Sequence, residues 1–441
     1  MMTRRTFLDT LAVGTAGVAL GSTAKSYAQI MGSNDRLNFA VIGLNSRAYA
    51  HLSALHANRE TARISHVCDV ESNILKKFGD ATQKEMGYTP VMERDFRKVL
   101  ATKEVDAVTI ATPDHWHAPM AIAAVQAGKH VYVEKPCSHN PAEGALLVQV
   151  QAKYGKLVQM GSQQRSSPHT MEVIDKIHNG AIGRAYLAKT WYVNTRKSIG
   201  VGKPAPVPAT LDWDLWQGPA PRQAYTDNVQ PYNWHWFKKW GTGESLNNGT
   251  HEVDVARWAL GVDYPECVTT SAGRYHFKDD WQFYDTMMTN WEYGDKQISW
   301  DGMCCNGMKY WNRDRGTVIE GTEGSVLVDR DGYEIFDLKG NKTSELKPPR
   351  KEKTSSSDTV GRDSMTDAHF ANFIGGIRKG DKLRSPIAVG NVSVTLMQLS
   401  NIAWEVQREL KINTADGHVL NDAAAMKFWG RDYEKGWAPH L

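Results

Sequence analysis

Two stretches of this chain carry side chains able to share one reaction. The run Val131-Tyr132-Val133-Glu134-Lys135-Pro136 reads as an apolar strand ending on a carboxylate, an amine and a proline. A residue before proline is kept out of the helical region, so Lys135 is extended and its direction restricted. The second stretch holds Asn247, His251, Asp254 and Trp258, spaced to fall on one face of a helix. Oxidising a secondary alcohol removes a hydride from carbon and a proton from oxygen. Histidine has the pKa range to take that proton. An ammonium stabilises the developing alkoxide, or polarises a carbonyl in the reverse direction. The exchanged assignment, with Lys135 as neutral base and His251 orienting, fits these residues as well.

Strands alternating with helices position Lys135. Apolar runs at 37–42, 63–69, 105–111, 130–134 and 157–160 read as strands of a doubly wound parallel sheet, a Rossmann arrangement. The first strand is followed at once by Gly43-Leu44-Asn45-Ser46-Arg47-Ala48 and a helical stretch, and the second ends on Asp69. That context makes the turn a dinucleotide site. Gly43 makes the tight turn, Asn45 stands at the second glycine place and Ala48 at the third. The helix N-terminus offers donors to a pyrophosphate, and the amide of Asn45 and the charge of Arg47 add grip. Asp69 accepts from the adenosine ribose and repels a 2′-phosphate, so NAD is expected over NADP. Thr112-Pro113-Asp114-His115-Trp116-His117 reads as a loop at a strand end, with Pro119 opening the helix that Gly128 closes. Its His115 and His117 are expected against the nicotinamide ribose.

The style of the chain changes after about residue 165. An aromatic segment from Leu211 to Trp240 precedes a helix from about Asn248 to Leu260. Runs at 267–275, 285–293, 297–302, 316–320, 324–328 and 333–336 then predict a mostly antiparallel sheet. Residues 347–357 read as a polar loop, and the tail is helical again. Gln163 and Arg165, with Tyr232 and His235 from the aromatic segment, are candidates for substrate hydroxyls. With 15 Trp and 16 Tyr the chain has rings to spare for stacking on sugar faces. The net charge of +3 gives no sign of nucleic acid. Five cysteines without CxxC spacing indicate neither a disulfide framework nor zinc. His251-Glu252 lacks the second histidine of a zinc-protease motif, so no metal is expected.

The Gly43-x-Asn45-x-x-Ala48 turn, the Thr112–His117 block, Glu134-Lys135-Pro136 and Gly249-Thr250-His251-Glu252-Val253-Asp254 together resemble the glucose–fructose oxidoreductase / inositol dehydrogenase / rhizopine catabolism (Gfo/Idh/MocA) family from about residue 36 onward. The resemblance implies an N-terminal NAD-binding Rossmann domain and a C-terminal α/β domain with an open sheet. The domains are set at 36–160 and 161–441, with tail helices returning to the first. Thr112, Pro113, His115, His117, Glu134 and Lys135 would face the cofactor. Lys135 and His251 would sit at the reacting carbon. Where the family often has an aspartate four residues before the histidine, this chain has Asn247, which removes an Asp–His relay and leaves an amide for a substrate hydroxyl. By analogy alone, the open sheet implies a homo-oligomer.

Residues 1–28 read as a twin-arginine signal peptide: Arg4-Arg5, a weakly apolar run from Leu11 to Leu20, and a small-x-small site at Ser26-Tyr27-Ala28. The run is too short for a membrane anchor. Export removes the enzyme from any free NAD pool. A tightly bound, internally recycled NAD acting on a sugar, polyol or glycoside hydroxyl is therefore expected. The exported relatives in glycoside hydrolase family 109 imply an alternative, redox-neutral cleavage by oxidation, elimination and re-reduction. A non-catalytic carbohydrate-binding module is the remaining reading.

Overall fold

The computed structural model describes residues 36–347 and 364–441. The stretch at 1–28, expected as a signal peptide, and most of the polar loop at 347–357 lie outside them.

The first domain runs β1 Leu37–Ile42, α1 Ala48–Ala57, β2 Ala62–Cys68, α2 Ser72–Met86, β3 Val91–Glu93, α3 Phe96–Ala101, β4 Ala107–Ile110, α4 Asp114–Gln126, β5 His130–Val133, α5 Pro141–Tyr154 and β6 Val158–Met160. Its six strands pair in parallel in the order β3-β2-β1-β4-β5-β6. β4 is buried along its whole length, as a strand covered on both faces must be. The order reverses between β1 and β4, and a crevice opens beyond their carboxyl ends. β3 was not legible in the sequence, because it is a three-residue edge strand whose apolar side chains face outward.

Helix α4 departs from expectation. It begins at Asp114 with Pro113 as its cap, so His115-Trp116-His117 form its first turn and Pro119 lies inside it. A proline inside a helix leaves the carbonyl four residues back without its amide partner. That carbonyl belongs to His115, and Arg431 Nη2 donates to it at 2.7 Å.

The second domain contains α6 Pro168–His178, β7 Ala185–Val193, α7 Trp213–Gln217, α8 Thr250–Leu260, β8 Cys267–Gly273, β9 Thr286–Glu292, β10 Gln297–Met303, β11 Arg315–Gly321, β12 Ser325–Asp329, β13 Gly332–Phe336, β14 Lys342–Leu346, α9 Ser364–Lys379, α10 Ile387–Val406, β15 Leu410–Lys411 and α11 Ala423–Met426. Nine strands form one sheet in the order β14-β13-β12-β11-β7-β10-β9-β8-β15. The central strand β7, absent from the predicted set, pairs parallel with β10 and antiparallel with β11. The other pairings in this sheet are antiparallel. No helix of the described residues is long and apolar enough to cross a membrane.

Helix α9 packs on the first domain. Phe370, Phe373 and Ile374 share a core with Phe39, Val41, Leu55 and Tyr132. Tyr132 stacks on Phe370 at 4.2 Å between centroids, a contact worth about 0.5–1.5 kcal/mol beyond its buried area. The strand that ends on Lys135 is thus braced by a helix from the far end of the chain.

Candidate active site

A single cleft runs from the carboxyl ends of β1 and β2 to the start of α8. Gly43, Asn45, Arg47, Asp69, Thr112, Pro113, His117, Glu134, Lys135, Gln163, Tyr232, His235, Asn247 and His251 all border it.

The β1 end fits a dinucleotide. Gly43 has φ +80°, and a Cβ there would lie 2.6 Å from the Thr112 main-chain nitrogen. Only glycine lets the turn pass so close to β4. Asp69 accepts from the main-chain nitrogens of Leu44 at 2.8 Å and Glu71 at 2.9 Å. Each of its oxygens keeps a second lone pair for a ribose hydroxyl. Burial raises its pKa to about 6, against the lowering by those N–H groups. The hydroxyl oxygen of Thr112 is buried at the cleft without a protein partner. These residues fit NAD, which would supply a hydride acceptor at the far end.

Glu134 is the hub of that far end. One of its oxygens accepts from Arg47 Nε at 2.8 Å and Gln163 Nε2 at 3.2 Å, and lies 2.9 Å from His51 Nε2. Burial pushes its pKa up, but Arg47 and His51 outweigh that and hold the carboxyl well below the usual range. Gln163 also donates to the Tyr132 hydroxyl at 2.9 Å. Arg47 reaches the Thr366 hydroxyl at 3.1 Å as well. Its guanidinium thus engages Glu134 and Thr366 from the wall of the cleft. Asn45 turns its amide oxygen back to Ser46 N at 3.0 Å.

Lys135 and His251 come from different domains and border the same cleft. Residues Ser245–Gly249 form a π-helical turn leading into α8. Where the ladder changes register, a carbonyl becomes available to an outside donor. Lys135 Nζ donates to the Asn247 carbonyl, and lies 3.3 Å from the Asn247 side-chain oxygen. The amide nitrogen of Asn247 lies 3.3 Å from Glu244 and 3.5 Å from the Tyr232 hydroxyl, so both ends of the amide expected at a substrate hydroxyl have protein partners. Burial brings Lys135 down to about 8, with Glu134 and Asp114 pulling upward. Burial, then Arg330, Lys135 and Arg315, hold His251 well below the ordinary histidine range. It is a neutral imidazole. His235 is likewise neutral; it lies 2.6 Å from the Tyr232 carbonyl and stacks on Trp234. His117 bridges two carbonyls, Pro136 at 2.6 Å and Thr112 at 2.8 Å, tying the Lys135 turn to the β4 loop.

Four predicted site residues lie elsewhere. Ala48, the first residue of α1, is fully buried, where a small side chain lets the helix pack closely on the sheet. His115 turns away from the cleft, because the first turn of α4 aims it at Trp216, whose carbonyl lies 3.0 Å from its Nε2. Arg165 and Asp254 are not substrate ligands but partners, joined at 2.7 Å and 2.9 Å. Three residues beyond His251, Asp254 is rotated by roughly 60° around the helix, and it meets Arg165 and Ser393 instead of the cleft. The Arg165 guanidinium also covers Trp258.

Other residues at the cleft were missed. Arg315, paired with Glu252 at 2.6 Å, and Arg330 come from the second sheet, and nothing in the local sequence marks them. Leu211, Leu215 and Trp216 close the β2 end. The aromatic richness of that segment was visible, but its destination was not.

A Rossmann sheet and an open mixed sheet, with an adenosine-end aspartate and a Lys–His pair between them, define a dinucleotide-dependent oxidoreductase. Residues 37–162 match the oxidoreductase family GFO_IDH_MocA, NAD-binding Rossmann fold, and residues 188–438 match the C-terminal α/β domain of that family. The chain belongs to the Gfo/Idh/MocA oxidoreductases, and its cofactor is NAD. It is 28% identical to an inositol 2-dehydrogenase of Rubrobacter xylanophilus over 53% of this chain and 55% of that one. It is 25% identical to a glycosyl hydrolase family 109 protein of Shewanella baltica over 43% of this chain and 46% of that one. The matches thus span about half the length of these relatives. A levoglucosan dehydrogenase solved with NADH and levoglucosan has the same fold, with a TM-score of 0.67 at 18% identity over 85% of this chain and 99% of that one.

Proposed function

We propose that this protein is an exported oxidoreductase that keeps its NAD and acts on a hydroxyl of a sugar, polyol or glycoside. The observation that carries this reading is the meeting of Lys135 and His251 in one cleft with Asp69 at its other end. A substrate hydroxyl between the two groups donates to the neutral imidazole of His251, which takes its proton. The Lys135 ammonium, fixed by Asn247, stabilises the alkoxide. That negative charge offsets the surrounding cations and makes the protonated His251 tolerable. Glu134 keeps Lys135 charged and is itself locked by Arg47, His51 and Gln163. The retained cofactor follows from Arg4-Arg5 and the run behind them, which read as an export signal. Denaturing the protein purified from the exported fraction should release NAD. Protein that carries none, and takes up none, refutes the reading.

Redox-neutral glycoside cleavage is the second reading, favoured by the likeness to glycosyl hydrolase family 109 proteins. Release of nitrophenol from a nitrophenyl glycoside, without net change in NAD, selects it.

A further inference from the structure

We propose that residues 208–218 of the second domain form a strap that closes the adenosine end of the cleft, and that NAD leaves only when this strap lifts. The proposal rests on the reading of the cleft as a retained NAD site and supplies the device that retains it.

The strap is stitched to the first domain along its length. Glu71 and Leu211 form an antiparallel bridge. It is flanked by Ser72 N donating to the Thr210 carbonyl at 3.0 Å and Asp212 N donating to the Val70 carbonyl at 3.1 Å. Arg94 Nη2 donates to the Val70 carbonyl at 2.9 Å and to the Thr210 carbonyl at 3.2 Å. Further along, the Trp216 carbonyl accepts from Trp116 Nε1 at 2.9 Å and lies 3.0 Å from His115 Nε2. Burial lowers His115 to about 3, so its ring is neutral at working pH and carries one N–H for this bond. Gly218 ends the strap at φ +45°, and a Cβ there would lie 1.8 Å from the Trp116 ring. The close fit of strap to ring therefore requires glycine.

The stitches at Thr210, Leu211 and Asp212 attach to Val70, Glu71 and Ser72, directly after Asp69. Leu211, Leu215 and Trp216 thereby line the same cleft as Ile74 and Phe96. Two apolar walls beside a ribose-binding carboxylate make a slot for a flat heteroaromatic base. One of those walls belongs to the other domain, so a nucleotide seated there is held by a segment that must detach before it can go.

The test is the rate at which bound NADH is displaced by excess NAD. Trp216→Ala removes a wall. Arg94→Ala removes two stitches at an exposed position and leaves the core untouched. Both should release NADH at least about tenfold faster than the parent, since tenfold corresponds to ~1.4 kcal/mol. Glu71→Cys with Leu211→Cys joins the bridge pair, and under oxidation should slow release well below the parent, with recovery on adding reductant. Thermal melts identify a variant that has not folded, and Arg94→Ala then decides. Release at the parent rate in Arg94→Ala and in the oxidised double variant overturns the strap while the NAD site stands. Failure of the parent to bind NADH at all overturns both.

Discussion

Lys135 on the first domain donates to the main-chain carbonyl of Asn247 on the second, and the Asn247 side-chain oxygen lies 3.3 Å from the same ammonium. The group at the reacting end of the cleft is thus aimed by a residue from outside its own domain. Its direction depends on the π turn at Ser245–Gly249, which supplies the carbonyl. Replacing Asn247 with Ala keeps the main-chain acceptor and removes the side-chain one. Turnover should fall about ten- to hundredfold with NAD binding unchanged, since a hydrogen bond to a charged group is worth about 1.5–3 kcal/mol. Kinetics and NAD titration of the variant check this.

In the proposed mechanism the ammonium form of Lys135 does the work, and burial brings its pKa down to about 8. Activity should therefore fall as pH rises through about 8. Because His251 is held neutral well below the ordinary range, its protonation should cause no loss near 6.5 when NAD is saturating. A rate that climbs through pH 8 would show Lys135 acting as the neutral base.

Asp69 is charged above about 6 and protonated below it. NAD affinity should weaken as pH falls through that value, as the acceptor carboxylate is lost. Asp69→Ala should weaken NAD about ten- to hundredfold, the loss of hydrogen bonds to a charged acceptor. Calorimetric titration at two pH values measures both effects.

The Arg165–Asp254 pair is structural. Their side chains are 8% and 1% exposed. Arg165→Ala leaves a buried carboxylate without its main partner and should cost about 3–5 kcal/mol of stability. A denaturant melt reads this loss. A variant of parental stability with a raised KM would instead make Arg165 a substrate ligand.

Gly43→Ala should damage the first domain itself. A side chain at φ +80° costs about 1–2 kcal/mol, and the Cβ would press on the Thr112 backbone at 2.6 Å. Reduced thermal stability and lost NAD binding should appear together.

The first domain was largely legible in the sequence because its signals are local. Buried parallel strands are short apolar runs, and the Gly43 turn and Asp69 follow two of them directly. The limits were also local. Pro119 looked like a helix start because prolines favour that place, yet the chain keeps it inside α4 by giving the orphaned His115 carbonyl to Arg431. Asp254 shares a helix face with His251 on paper, but the rotation of three residues and a waiting Arg165 settle its direction. Arg315 from the start of β11 and Arg330 from the turn between β12 and β13 reach the cleft through a strand order that no local pattern encodes. The strap was visible as aromatic richness, but which surface it covers is set by main-chain bonds to residues 70–72.

The most direct test loads the purified protein with NAD, adds a panel of polyols, free sugars and glycosides, and follows reduced nicotinamide absorbance within a single turnover. The parent should reduce its bound NAD with at least one member. Lys135→Ala should bind NAD and do so about 100- to 1000-fold more slowly. A Lys135→Ala variant that reduces NAD at the parental rate would contradict the central claim.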